Sequence, residues 1–417
     1  MTIDRIFLAS CFAFADQRCA GFFRRLGDAL ESRGIRLVML ATQKVAGFPY
    51  PVLDIPYSLY GFNDRITEEC SAPFHPVAPL LAAEYAWSGY LGTTELCSMA
   101  TARCEWFYRG VIHDLKPFAA MLWNTTHPHS RVARNVLQVH GVPAWCIERG
   151  QLAGSYQVQM GEVNAWDDTL ATFSLHAGLQ GDMEYQGKGA FEAARALSTK
   201  NPVDRYPVDA ASLAAWPLAG HRSVLLLSSA IGSSIEPRGQ HSIDLSQPIW
   251  RSFQDAIDAL DAHLPDNCTI LFRDHPINRL ILAENPLRKP SRFMEADKIP
   301  IGDLISSVDR VICVGTTTLQ YEVLLRDKPL LVFGNSLAAR AGAAYSCLSS
   351  ATLKSDIDSW LNDVDAASKR RNARHLIGIL CNRHLVREDD RHSHIRHGID
   401  QLADFIAAQA PAMSSST

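Results

Sequence analysis

Short, densely apolar runs of four or five residues recur along this chain, and most are followed by a longer stretch with apolar positions spaced three or four apart. The first kind predicts buried strands and the second amphipathic helices. Residues 6–9 read as a strand, 22–31 as a helix stopped by Gly34, and 36–40 as the next strand. Such a strand–helix–strand unit builds parallel sheets with helices on both faces. Residues 72–111 turn helical and aromatic, 119–123 read as a strand, 130–140 as a helix ended by Gly141, and 144–147 as a strand. Between 198 and 221 the periodicity fades, and Pro202, Pro207 and Pro217 mark a linker. The alternation then resumes: strands at 223–227, 269–272, 310–314 and 329–333, and helices at 250–264, 301–307 and 318–325. The stretch 353–408 reads as helices, with a disordered end beyond it.

The expected fold is therefore α/β, with two Rossmann-like domains, parallel sheets and C-terminal helices. A chain of 417 residues exceeds what one core supports. We divide it into an N-terminal Rossmann-like domain (1–200), a linker (201–221), a C-terminal Rossmann-like domain (222–352), C-terminal helices (353–410) and a disordered tail (411–417).

Composition narrows the function mainly by exclusion. With 40 basic and 44 acidic side chains the net charge is −4, against a general nucleic-acid binder. The ten cysteines form no CxxC pair and several sit in apolar runs, so they read as reduced structural thiols. The apolar run at the start is too short for a signal peptide, and no stretch approaches a membrane span, so a cytoplasmic protein is expected. No P-loop, GxGxxG in a strand–helix context or compact metal-ligand cluster occurs, so neither cofactor nor metal is expected.

Ligands of parallel sheets bind beyond the carboxyl ends of strands. Three such loops in the second half carry suitable residues. The first is Arg273-Asp274-His275-Pro276, where the histidine can donate to a phosphate oxygen and the proline fixes the turn. The second is Gly315-Thr316-Thr317-Thr318, whose N–H groups and hydroxyls open a helix; the alternative is simple N-capping by threonine. Four residues beyond Thr318, Glu322 could hold two vicinal ribose hydroxyls, or be a solvated helix glutamate. The third is the small-residue turn Gly334-Asn335-Ser336.

These blocks resemble the capsule polysaccharide synthesis family. Asn124 with His127-Pro128, then Glu148-Arg149-Gly150-Gln151-Leu152, then Gly161-Glu162-Val163-Asn164 are similar to its N-terminal elements and fall in its order. His275-Pro276 resembles its HP element, and Gly315 to Leu325, running on to Phe333-Gly334, its nucleotide-binding strand–helix–strand. The resemblance implies a retaining β-Kdo glycosyltransferase with a GT-B-like pair of Rossmann domains. The donor would be CMP-β-Kdo and the acceptor a glycan or glycolipid of bacterial surface polysaccharide (capsule or lipopolysaccharide). Work at the inner membrane face as a peripheral protein would fit that branch.

Carried over by residue, His275, Pro276, Gly315, Thr316, Thr317 and Gly334 would hold the nucleotide and its phosphate, and Glu322 the ribose. Glu148 would be the acid/base or sugar-contacting carboxylate, with Asn124, Arg149, Gly150, Asn164 and Arg273 about the sugar or acceptor. One departure bears on mechanism. The family places a nucleophilic carboxylate after the first strand of the second domain, but residues 228–235 contain no acid. Glu236 or Asp244 would have to substitute, or the course differs. Two alternatives follow: a transferase for another CMP- or nucleotide-activated sugar, and a non-catalytic nucleotide-binding homologue. Arg149, Arg273 and Arg279 are candidates to meet a sugar carboxylate. The histidines at 392, 394 and 397 read as a solvated helix face or an anionic-membrane contact in preference to a metal site.

Overall fold

A computed structural model describes residues 5–11, 14, 16–41, 45–55, 94–123, 128–159, 180–197, 221–228, 253–274, 288–296, 299–315, 317–334 and 336–410. In chain order the first part runs β1 (Arg5–Ser10), α1 (Gln17–Glu31), β2 (Ile35–Ala41), β3 (Val52–Asp54), α2 (Thr94–Leu115), β4 (Ala119–Trp123), α3 (Pro128–Val139), β5 (Ala144–Arg149), β6 (Ser155–Gln159) and α4 (Gln180–Ala196). It continues with β7 (Arg222–Ser228), α5 (Phe253–His263), β8 (Cys268–Arg273), β9 (Phe293–Glu295), α6 (Ile301–Ser307), β10 (Arg310–Val314), α7 (Leu319–Leu325), β11 (Leu330–Phe333), α8 (Leu337–Arg340) and β12 (Tyr345–Cys347). Then come α9 (Leu353–Leu361), α10 (Ala366–Ile379), a π-turn (Leu380–His384), β13 (Leu385–Arg387), a 3-10 turn (Asp390–His392) and α11 (Ile399–Ala408).

Two compact units result. The first comprises Met1–Arg149, Tyr156–Val163 and Leu385–Thr417; the second Gly150–Ser155 and Asn164–His384. In the first, a sheet runs in the order β13-β6-β5-β4-β1-β2-β3. Strands β1 to β5 pair in parallel and β6 runs antiparallel to β5. Successive side chains point to opposite faces of a strand. Phe7, Ala9, Leu37, Met39, Met121 and Trp145 accordingly pack with Phe22, Phe23 and Leu26 of α1 and with Leu402 and Ile406 of α11. Leu8, Val38, Leu40, Ala120 and Leu122 pack instead with Tyr108 and Ile112 of α2 and Val136 and Leu137 of α3. A parallel sheet covered on both faces needs continuous apolar strands, which explains why they were visible in the sequence.

The second unit has the sheet order β12-β11-β10-β7-β8-β9, parallel at every pairing. Read from the other edge, and numbering its strands by chain order, this is 3-2-1-4-5-6, the Rossmann order. One face packs Val224, Leu226, Ile270, Phe272, Ile312 and Phe333 against α5 and α9. On the other face Leu225, Leu227, Val311, Cys313 and Val332 are buried as well. The buried Arg310 fixes α9 to the start of β10: it donates to both Asp363 oxygens at 2.9 Å and to the Trp360 carbonyl at 2.5 Å. Trp360 is fully buried and donates from Nε1 to the Pro329 carbonyl at 3.1 Å.

Several expectations need correcting. The stretch 353–408 is not all helix, because β13 interrupts it and α11 covers the first unit's sheet. Helix α4, grouped by sequence with 1–200, packs on α10 of the second unit, with the Arg374 guanidinium 5.8 Å from the Phe191 ring centroid. The histidines of the tail share no α-helix face: His392 ends a 3-10 turn, His394 lies beyond it, and His397 bridges Val386. Nor is that face solvated; the His392 side chain is 12% exposed and bonds Asp389 at 2.8 Å, while burial pushes His394 down to about 4. The edge strands β3, β9, β12 and β13, three residues each, are too short to show a period of two. The linker 201–221, apart from His221, the tail 411–417 and the helical reading of 72–93 lie outside the described residues. Among the described residues no helix is long and apolar enough to cross a membrane, and eight cysteines are buried.

Two outcomes test this account of the second unit. Trp360→Ala should cost about 3–5 kcal/mol in chemical denaturation, from the cavity and the lost Nε1 bond. The Arg310 guanidinium holds the Asp363 carboxyl below its ordinary value. A depressed carboxylate contributes stability above its unfolded pKa and loses it as pH falls through the folded one. Asp363→Asn should therefore be less stable than the natural chain at pH 7, with the gap closing in melts taken progressively below about pH 4.

Candidate functional site

The strand order places a topological switch point in each sheet. In the second unit it lies between β7 and β10, from which the chain winds outward in both directions. Gly315 follows β10 at that point. Gly315 and Gly334 both have positive φ, +73° and +104°, which suits glycine and few other residues. Gly315 N–H donates to the Phe333 carbonyl at 2.8 Å, and a Cβ on Gly334 would lie 3.9 Å from Gly315 Cα. The two turns thus run side by side at the carboxyl edge.

A residue that sequence reading missed secures this turn. Gln320 is 1% exposed and donates from Nε2 to the Gly315 carbonyl at 2.8 Å. A buried amide on an apolar helix was the available signal. Thr317 accepts the Leu319 N–H at 3.3 Å, so its hydroxyl does part of the capping that was the plainer reading, whereas Thr318 makes no side-chain cap. Helix α7 has seven residues and opens with i→i+3 bonds, so any anion affinity of the turn comes from local N–H and hydroxyl donors more than from a long dipole. Thr316 lies outside the described residues.

Glu322 is neither a solvated glutamate nor a free carboxylate. It is 6% exposed and bonds Arg326 at 2.7 Å, one helical turn on. Arg273 ends β8 and donates to the Ile299 carbonyl. The next residue, Asp274, accepts the Ser228 hydroxyl at 2.6 Å. His275, Pro276, Glu236, Asn124 and Asn164 lie outside the described residues, as do Asp244 and Arg279.

In the first unit β5 brings Glu148 and Arg149 to the carboxyl edge of its sheet, beside the start of α1. Glu148 Oε1 accepts the Arg149 N–H at 3.1 Å. The Arg149 guanidinium pairs with Asp16, which also N-caps α1 by accepting the Arg18 N–H at 2.8 Å. Cys19 is buried beside Arg149, and its thiol is held below the usual range, first by a hydrogen bond with Cys11 and then by the Arg149 charge, against the opposing effect of burial. Burial pushes the Tyr156 phenol up; its ring lies 4.1 Å from Phe22. Arg149 is thus engaged within the fold. Gly150 leaves β5, its N–H donating to the Ser155 carbonyl at 2.8 Å. Among the described residues no group of three or more His, Cys, Asp or Glu side chains is placed to hold a metal.

No family model matches this chain, and no curated protein does. Solved structures of similar shape include "Thermosulfurimonas dismutans KpsC, beta Kdo 2,4 transferase", at 16% identity and TM-score 0.40 over 64% of this chain and 81% of that one. The glycotransferase of kitacinnamycin aligns at 11% identity and TM-score 0.39, over 98% and 99% of the two chains. The S. aureus MnaA–UDP structure aligns at 11% identity and TM-score 0.38, over 90% and 93%. Likenesses at this level carry no argument about chemistry.

The glycine turn has its own test. Gln320→Leu keeps the volume but strips the Gly315 carbonyl of its buried donor, which should cost about 1–3 kcal/mol of stability. Thermal melts of the two chains check it; an unchanged melting temperature would remove the amide from this account.

Proposed function

We propose that the chain is a glycosyltransferase that moves Kdo from CMP-β-Kdo to a glycan or glycolipid acceptor of bacterial surface polysaccharide. The observation that supports this best is the pair of glycine turns at the switch point of a Rossmann-order sheet, which coincides with the Gly315–Leu325 block of the family resemblance. On this reading the second unit handles the donor and the first the acceptor.

CMP leaves with its negative charge on phosphate, so its departure needs hydrogen-bond donors there more than a strong acid. His275, Thr316 and Thr317 are the residues proposed for that task, with Pro276, Gly315 and Gly334 shaping the three turns after β8, β10 and β11. Glu322 would hold the ribose by exchanging Arg326 for its hydroxyls. Glu148 is proposed as the base for the acceptor hydroxyl, with Asn124, Arg149, Gly150, Asn164 and Arg273 about the sugar and acceptor. Arg149 and Arg273 would serve a sugar carboxylate only by giving up Asp16 and the Ile299 carbonyl. Neither a metal nor a further cofactor enters this scheme, and a cytoplasmic place, peripheral to the inner membrane, suits such a donor and acceptor.

A retaining double displacement needs a carboxylate nucleophile, for which Glu236 is the candidate. The absence of an acid from 228–235 favours a second reading, nucleotide binding without turnover or with another activated sugar.

The test is CMP release from freshly generated CMP-Kdo, with and without candidate glycan acceptors. Acceptor-dependent release is expected, and His275→Ala should weaken CMP binding about tenfold or more. CMP binding without release under any acceptor would discard Kdo transfer and keep the nucleotide site.

A further inference from the structure

The glycine turns stand at the carboxyl edge of the second sheet, and a separate pocket opens at its opposite edge. There β11 begins at Leu330 and β12 at Tyr345, with Leu331 paired to Tyr345. The pocket measures about 30 Å³ and lies wholly within the second unit. That is room for about two water-sized groups. One wall is the stretch 327–330 that leads into β11, and another is Tyr345. The third is α10, which contributes Ala366, Lys369, Arg370 and Ala373. Positions i, i+3, i+4 and i+7 share one face of a helix, so two alanines leave the space and two cations flank it.

The cations of this pocket are not equally engaged. Lys328 serves neighbouring carbonyls, donating to Ser306 at 2.9 Å and to Val308 at 2.7 Å. Lys369 and Arg370 have no such acceptor: among the described residues neither makes a hydrogen bond or an ion pair. The Lys369 ammonium instead stands over the Tyr345 ring, 5.2 Å from its centroid. Such a contact attracts a cation without neutralising it. Burial holds the Lys369 pKa below its ordinary value, against the opposing pull of Asp365. Two carboxylates also line the pocket, and both are engaged elsewhere. Asp363 accepts from Arg310 with both oxygens at 2.9 Å, and Asp327 pairs with Arg195 at 3.1 Å. The charge left over is that of Lys328, Lys369 and Arg370 against the exposed Asp365.

We propose that this pocket is an anion site, in which Lys369 and Arg370 hold one phosphate-class oxyanion. A doubly charged oxyanion suits two adjacent cations that lack acceptors, because hydrogen bonds from ionised donors to ionised acceptors are the strong kind. Its size suits the room available. The ligand is either the free ion or the terminal phosphate of a larger molecule whose remainder stays outside. The site lies at the other edge of the sheet from the proposed donor turns and does not depend on that function.

Calorimetric titration of inorganic phosphate and of glycerol 3-phosphate into the full chain, at constant ionic strength set with chloride, tests the proposal. Phosphate should bind, and Lys369→Gln and Arg370→Gln should each weaken it about tenfold. Lys369→Arg, which keeps the charge, should retain binding. His275→Ala alters the turn proposed for the donor phosphate and should leave this binding event in place. Glycerol 3-phosphate bound with similar affinity would identify a terminal phosphate as the ligand, and its exclusion the free ion; either result supports the site. No heat beyond that of a chloride control would overturn it, as would phosphate binding unchanged in both glutamine variants. Loss of the event in His275→Ala alone would place the anion at the donor turn and overturn it too. Lys369 is half-buried and Arg370 exposed, so these variants keep the fold, which melting without phosphate checks.

Discussion

The β7–β10 pairing is the contact on which the second unit depends. It runs in register from Arg310 with Val224 to Val314 with Ser228 and joins two strands separated in sequence by α5, β8, β9 and α6. Because the strand order runs outward from it on both sides, it forms the topological switch point of this sheet. Gly315, Gln320, Ser228 and Asp274 matter because they stand at its upper end. At its lower end Arg310 performs the complementary task, holding α9 to the sheet through Asp363 and Trp360.

The central strands and most helices were legible because a doubly covered parallel sheet demands unbroken apolar runs. Residues 119–123, 301–307 and 310–314 coincide with β4, α6 and β10 to the residue. What stayed hidden depends on partners distant in the chain. Nothing local marks Leu385–Arg387 as a strand, since it is one by virtue of a sheet made mostly from the first 160 residues. At the candidate site, the glycine turn and Glu322 could be singled out by residue type. That Glu322 is committed to Arg326, Arg149 to Asp16, and Gln320 to a carbonyl could not, because each is a matter of side-chain direction.

These commitments share an electrostatic theme. The arginines described near the two carboxyl edges, Arg149, Arg273 and Arg326, are each engaged by a carboxylate or a carbonyl. On the function proposed above, any of these three arginines would meet an anion only by exchanging one partner for another. Neutral donors held in place act on charge without first having to be released.

The return of the C-terminus to the first unit affects how the molecule can be made. Trp145 packs edge-to-face on Phe405, and Leu402, Ala403 and Ile406 complete the core that contains Phe7 and Met121. During synthesis that core lacks one of its walls until α11 leaves the ribosome, although strands β1 to β5 emerge long before it. The second unit, drawn mainly from one continuous stretch, has no such wait. Vectorial synthesis therefore lets the second unit complete its core before α11 emerges, and leaves the first with an uncovered apolar face, exposed to aggregation, until α11 is made.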